Sequence, residues 1–142
     1  MATGAVLLAL MALRQQNLVV AASLAATAFT VFTMPNSVTA SSRNVVGGHL
    51  VGLTVGALFA LLPQESGLAQ DAIYALAVGG SMLVMAVTNT EHPPAAGTAL
   101  GVVIAGSSLQ VLLGVVVGVG VLAVIHRLLR PVLRDLVAAP ES

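Results

Sequence analysis

Residues 72–90 and 93–125 contain no Asp, Glu, Lys or Arg at all. Uncharged runs of that length cannot be kept in water by a domain of this size, and in a bilayer they leave the backbone few options. Every N–H and C=O must then be paired within the segment, which selects helices over irregular chain. The whole sequence agrees: of 142 residues 58% are hydrophobic and 7% charged, and the mean hydropathy is +1.04. The expected class is an all-α integral membrane protein, a four-helix transmembrane bundle.

A spanning helix takes about 20 apolar residues. Four segments qualify, at 18–34, 45–62, 72–87 and 95–125. A shorter apolar run at 2–13 precedes them, too short to cross alone and without Lys or Arg ahead of it, so a partial extra helix is expected rather than a signal peptide. Residues 126–142 read as a polar C-terminal tail, and the whole chain as one transmembrane domain. There is no cysteine, hence no disulfide and no thiolate site. A formal net charge of zero argues against a nucleic-acid partner.

Arginine placement sets orientation, because Arg and Lys favour the cytoplasmic side. Arg127, Arg130 and Arg134 put the C terminus inside, and counting back through four spans puts Arg14, Glu65 and Asp71 there too. Arg43 then falls on the opposite side with Glu91 and His92, against the trend, and so needs a partner or a task. A faint repeat at an offset of 58 pairs Ser23 with Ser81, Pro35 with Pro93, Gly48 with Gly106 and Gly56 with Gly114. Taken as a parallel repeat, it turns both proline-containing loops to the same face.

The break at Thr90-Glu91-His92-Pro93-Pro94 carries the clearest local signal. Proline suits the first turn of a helix and pushes the preceding residue out of helical geometry. One helix therefore ends near Asn89 and another begins at Pro93, with Asn89 or Thr90 as its cap. The run before the break is short and the run after it long, which places the break below the membrane surface, lining a cavity. The alternative is an ordinary external turn followed by a tilted helix. The loop after Pro35 has the same grammar: Ser41 or Ser42 caps the next helix, and Arg43 and Asn44 stand in its first turn.

Two helix N-termini, one guanidinium and the imidazoles of His49 and His92 make a set that favours a small anion. The substrate-binding candidates are Arg43, Asn44, His49, His92 and Pro93, with Ser23, Ser81 and Asn89 around them. Against this stands a bland reading in which Arg43 clamps Glu91 and the histidines are packing residues. Three scattered histidines give no metal set, Pro93 and Pro94 exclude an HExxH helix, and no catalytic pair or cofactor motif is present, so an enzyme is not expected. Glycines at 48, 52 and 56, and at 114 and 118, are packing seams within or between chains.

The stretches Arg43-Asn44-Val45-Val46-Gly47-Gly48-His49 and His92-Pro93-Pro94-Ala95, with Thr98-Ala99-Leu100, Pro35, Ser37 and residues 23–28, resemble the HPP family of small integral membrane proteins. The resemblance runs from about Leu18 onward. It implies a four-helix membrane protein and, since some plastid and cyanobacterial members are implicated in nitrite transport, nitrite as first substrate. It puts Arg43, Asn44, His49, His92 and Pro93 at family-motif positions. Ser41 and Ser42 stand where the family commonly has Gln-Pro, and Ala25-Ala26 and Ala96-Gly97 where it favours Gly-Ala. The resulting expectation is a bacterial inner-membrane homo-oligomer that passes a small inorganic anion. A non-transporting scaffold or sensor subunit is the alternative.

Overall fold

The computed structural model describes residues 18–64 and 66–136, so the expectations for segment 2–13, Arg14, Glu65 and the last residues lie outside them. Within that range the chain is helical, with α1 at Leu18–Thr33, a 3-10 turn at Val38–Ala40, α2 at Ser42–Ala60, α3 at Leu68–Thr88, α4 at Pro93–Ala105 and α5 at Leu109–Leu129. Of these, α3 and α5 are long and apolar enough to cross a bilayer on their own; α1 and α4 are shorter apolar helices.

The fold places five α-helices where the apolar runs promised four. The run at 95–125 is two helices, because Gly106 turns the chain at φ +74° and Ser108 starts again as an N-cap, its side chain accepting from the Val111 N–H at 3.4 Å. Nor does α5 stop at the expected tail: it continues through His126 to Leu129, and residues 130–136 fold back so that the Leu136 N–H reaches the Thr33 carbonyl at 2.8 Å.

The extra helix reverses a count. Asn36 donates its N–H to the Asp135 carboxylate at 3.0 Å, and Ser42 shares a cleft with Arg127 and Arg130. Arg43 therefore lies at the same end of the bundle as the C-terminal arginines, which removes its apparent violation of the charge rule. The 58-residue repeat is not realised either: Gly48 lies inside α2, while its counterpart Gly106 ends α4. Both proline-containing loops do open at one end, the arginine end.

The centre of the bundle is α4, packed against both α1 and α2. Its close approach to α2 depends on the glycine seam. A Cβ on Gly52 would run into the Ala95 carbonyl oxygen, one on Gly56 would stand 2.7 Å from the Ala99 carbonyl oxygen, and one on Gly48 2.8 Å from His92 Cβ. The seam at 48, 52 and 56 thus joins helices of one chain. Helix α1 presents Val20, Ser23, Leu24, Thr27, Ala28 and Val31 inward, and α5 presents Val111, Val115, Val119 and Leu122, both at helical spacing. Around α3 the burial is narrower, limited to Ala77, Ser81 and Met85.

Because Gly48 faces His92, the His92–Pro93 break sits level with the second turn of α2, about 9 Å along the axis from the start at Ser42. The proportions that suggest a sunken break do not survive, because the long run after it is two helices. Of the break itself His92 is buried, while Asn89, Glu91 and Pro93 are exposed.

Candidate functional site

Helix α3 ends in a Schellman arrangement: Thr90 N–H bonds the Met85 carbonyl at 2.9 Å, Asn89 N–H bonds the Ala86 carbonyl at 3.3 Å, and Asn89 takes the left-handed conformation at φ 53°. Asn89 thus closes α3 and does not cap α4, as the motif had led us to expect. The N-cap of α4 is His92, which uses its backbone for this and leaves its ring free to act elsewhere. Pro93 and Pro94 then fill the first two helical positions, as expected.

The turn brings His92 against His49, with ring centroids 5.2 Å apart. Both Nε2 atoms address one hydroxyl, Thr27 Oγ1 on α1, at 2.8 Å from His49 and 3.0 Å from His92. His49 Nδ1 meets Thr98 Oγ1 at 2.8 Å, Thr98 Oγ1 meets Ser23 Oγ at 2.7 Å, and Ser23 Oγ donates to the Pro94 carbonyl at 2.6 Å. At the other end His92 Nδ1 donates to the Thr39 carbonyl at 2.8 Å, tying the 3-10 turn to the break. Thr27 also reaches back to the Ser23 carbonyl at 3.0 Å, the usual helix contact of a threonine. His92, Thr27 and Thr98 are fully buried and His49 and Ser23 nearly so.

The protons in this cluster can be counted. Apart from the Thr27 bond within its own helix, six contacts join the groups. Three hydroxyls and two neutral imidazoles supply one proton each. Carbonyl partners fix Ser23 and His92 as donors to Pro94 and Thr39. Five protons cannot fill six contacts, so a neutral cluster leaves one of the two contacts to Thr27 without a proton, and the bond from Thr27 to the Ser23 carbonyl competes for the same hydroxyl proton. The two rings therefore compete for one hydroxyl proton between them.

The remaining candidates divide. Arg43 is exposed and donates to the Thr88 carbonyl at 3.2 Å, at the C-terminal end of α3 where a cation is favoured. It does not pair with Glu91; instead Asn44 Nδ2 holds the Glu91 main-chain carbonyl at 3.0 Å. The two residues clamp the backbone of the break. Ser41 caps α2 as expected, accepting from the Asn44 N–H at 3.3 Å. Ser81, although buried, turns back to the Val78 carbonyl at 2.7 Å and takes no part in the imidazole cluster. The N-terminus of α4 is a weaker donor than anticipated: prolines at its first two positions have no N–H, and Ala95 N–H already bonds the His92 carbonyl at 2.8 Å.

Four participants were not among the sequence candidates: Thr27, Thr98 and the carbonyls of Thr39 and Pro94. Thr27 stands one helical turn from Ser23, the only sequence sign that the two share a face. Two cavities flank the cluster. One, about 590 Å³, touches Thr39, Pro93 and Pro94; the other, about 180 Å³, touches His49 from between α2 and α5.

A helical bundle whose apolar interior is interrupted by hydrogen-bonded imidazoles at a broken helix defines a class of integral membrane protein with an internal polar centre. The comparisons place it further: the HPP transmembrane region matches residues 1–134, and the chain belongs to that family. Relatives include a transmembrane protein of Dictyostelium discoideum, 36% identical over 102 residues, or 69% of this chain and 36% of that one. A second Dictyostelium discoideum transmembrane protein is 37% identical over 78 residues, covering 55% of this chain and 25% of its own. The chain thus spans about a third or less of the length of these relatives. No solved structure matches it.

Proposed function

We propose that this protein is a multi-pass transporter or channel for a small inorganic anion, with nitrite as the first substrate to test, and that it is not an enzyme. One observation carries the reading: two imidazoles and three hydroxyls are buried in an apolar bundle, bonded to one another between two cavities. Polar groups at such depth are costly and in membrane proteins mark a pathway or relay. On this reading the cluster is a closed gate between the cavities, and one proton gained or lost rearranges it. The choice of nitrite rests on the family resemblance. We further place the protein as a homo-oligomer in a bacterial inner membrane, with the arginine end cytoplasmic; the exposed apolar side of α3 offers surface to lipid or a second copy.

A second reading, a scaffold or sensor subunit, is favoured by a different observation. Every ring nitrogen of His49 and His92 already has a partner, and Arg43 and Asn44 are engaged with backbone carbonyls. The test is nitrite uptake into proteoliposomes holding the purified full chain, with empty vesicles and His92→Gln alongside. Uptake by the parent that is lost or changed in pH profile in the variant supports a gate at the break. A folded protein with no uptake above empty vesicles overturns the transport reading for nitrite and favours the scaffold.

A further inference from the structure

At the arginine end, away from the imidazole pair, a cleft of about 500 Å³ is lined by Asn36, Ser42, His126, Arg127, Arg130 and Pro131. Three features make it more than a surface hollow. Ser42 opens the 19-residue helix α2, so the positive end of a helix dipole adjoins it. Arg127 and Arg130, three residues apart on the last turn of α5, supply two guanidinium groups. Independently of both, His126, which lines the cleft, is only 2% exposed, yet its Nε2 has no hydrogen-bond partner. A buried ring nitrogen left without a partner is uncommon and points to a group that completes it.

We infer that this cleft binds a singly charged oxyanion, either a free inorganic ion or the phosphate of a lipid headgroup, with His126 Nε2 and the two guanidinium groups as its donors. The Pro35 carbonyl neighbours the His126 ring and favours a proton on it, and with Nε2 unpartnered that proton is the one on Nδ1. Nε2 can donate only once the ring is an imidazolium, so the anion enters together with one proton. The charged groups at this end of the bundle are mostly basic. Arg127 and Arg130 come from its own helix, and α2 brings Arg43 one residue beyond Ser42; past Pro131 the chain adds Arg134 and Asp135, whose carboxylate is engaged by the Asn36 N–H. Asn36 and Ser42, from the elements packed across the cleft, are uncharged. The net positive surroundings favour the anion, and the anion in turn favours the imidazolium.

The inference depends on the transport proposal only in taking nitrite as the first probe. The full chain, labelled with 15N-histidine and held in maltoside micelles, which carry no phosphate, is titrated with nitrite, inorganic phosphate and chloride near pH 6. Expected is a saturable shift of the His126 Nε2 resonance toward the protonated position, with His49 and His92 unmoved, and proton uptake seen by calorimetry in buffers of different ionisation heat. In R127Q/R130Q, which keeps His126 and the fold, the midpoint weakens on the order of tenfold or more, as loss of charge-assisted hydrogen bonds requires. A second sample is held in nanodiscs of anionic phospholipid: a resonance already shifted there before any ion is added assigns the cleft to a headgroup. No shift with any ion or lipid overturns the site. Nitrite flux without a His126 response removes this cleft and leaves transport standing, whereas a response without flux does the reverse.

Discussion

His49 and His92 come from different helices, and their Nε2 atoms converge on the single hydroxyl of Thr27, 2.8 and 3.0 Å away. One hydroxyl proton cannot serve two lone pairs, so Thr27 sets both the spacing of the rings and the state of protonation that fits them. Replacing Thr27 with Val keeps the shape and removes the hydroxyl, leaving two buried ring nitrogens without partners. Each orphaned polar group costs roughly 1–3 kcal/mol. We expect Thr27→Val to unfold at a distinctly lower temperature in detergent and Thr27→Ser to recover most of the loss. Equal melting of the Val variant and the parent would mean the hydroxyl does not hold the pair.

The seam between α2 and α4 makes a separable prediction. A methyl group at Gly52 would occupy the position of the Ala95 carbonyl oxygen, which is backbone and cannot swing aside, whereas nothing lies within 4 Å of a Cβ placed on Gly79. Gly52→Ala is expected to destabilise by about 1–3 kcal/mol, the range for overpacking. Gly79→Ala on α3 should be neutral. Thermal melts of both variants in one detergent check this, and the contrast also tests whether the seam is intramolecular, because a seam between chains would lower oligomer content before it lowered stability.

Much of this arrangement is written in short motifs. Ser41 before Arg43-Asn44 gives the cap of α2, and His92-Pro93-Pro94 gives a helix start. The unequal flanking runs that suggest a sunken break vanish once the corner at Gly106 divides the longer one, whereas His49 reads as inward-facing from its place in the start of an apolar helix. What the residues do not disclose has physical causes. Gly106-Ser107-Ser108 reads through as membrane helix because Gly and Ser are also the ordinary residues of helix seams. Only the backbone conformation at Gly106 distinguishes a corner from a seam. Missing that corner inverts the side of Arg43. Partner identity is similarly hidden: Thr27 lies 22 residues from His49 and 65 from His92, a pairing set by tertiary packing alone. His126 passes as part of a tail until the helix is seen to carry it inside.

Asn89 tests the end of α3. Its left-handed conformation costs a residue with Cβ about 1–2 kcal/mol, less for Asn and nothing for Gly. Asn89→Gly should therefore be as stable as the parent or slightly more so, and Asn89→Val less stable by about that cost. If Asn89 were instead a ligand contact, Asn89→Gly would lose uptake while melting normally. We expect uptake and melting to follow one another in both variants.

Sidedness separates five alternating helices from four. With a continuous helix over 95–125, Glu91 and the C-terminal segment would lie on opposite sides of the membrane; with the corner at Gly106 they share a side. The sequence has no cysteine, so single introduced cysteines report without background. Glu91→Cys and Asp135→Cys alter exposed positions at the arginine end, and Gln64→Cys an exposed position just beyond the far end of α2. In sealed right-side-out and inverted vesicles, a membrane-impermeant maleimide should label Glu91→Cys and Asp135→Cys together, in the orientation that leaves Gln64→Cys unlabelled. Labelling of Glu91→Cys and Asp135→Cys from opposite sides would contradict the corner. It would return Arg43 to the side away from the other arginines, and the cleft they share with Ser42 could not exist in the membrane. The charge rule favours the shared side, because it gathers Arg43, Arg127, Arg130 and Arg134 at one surface.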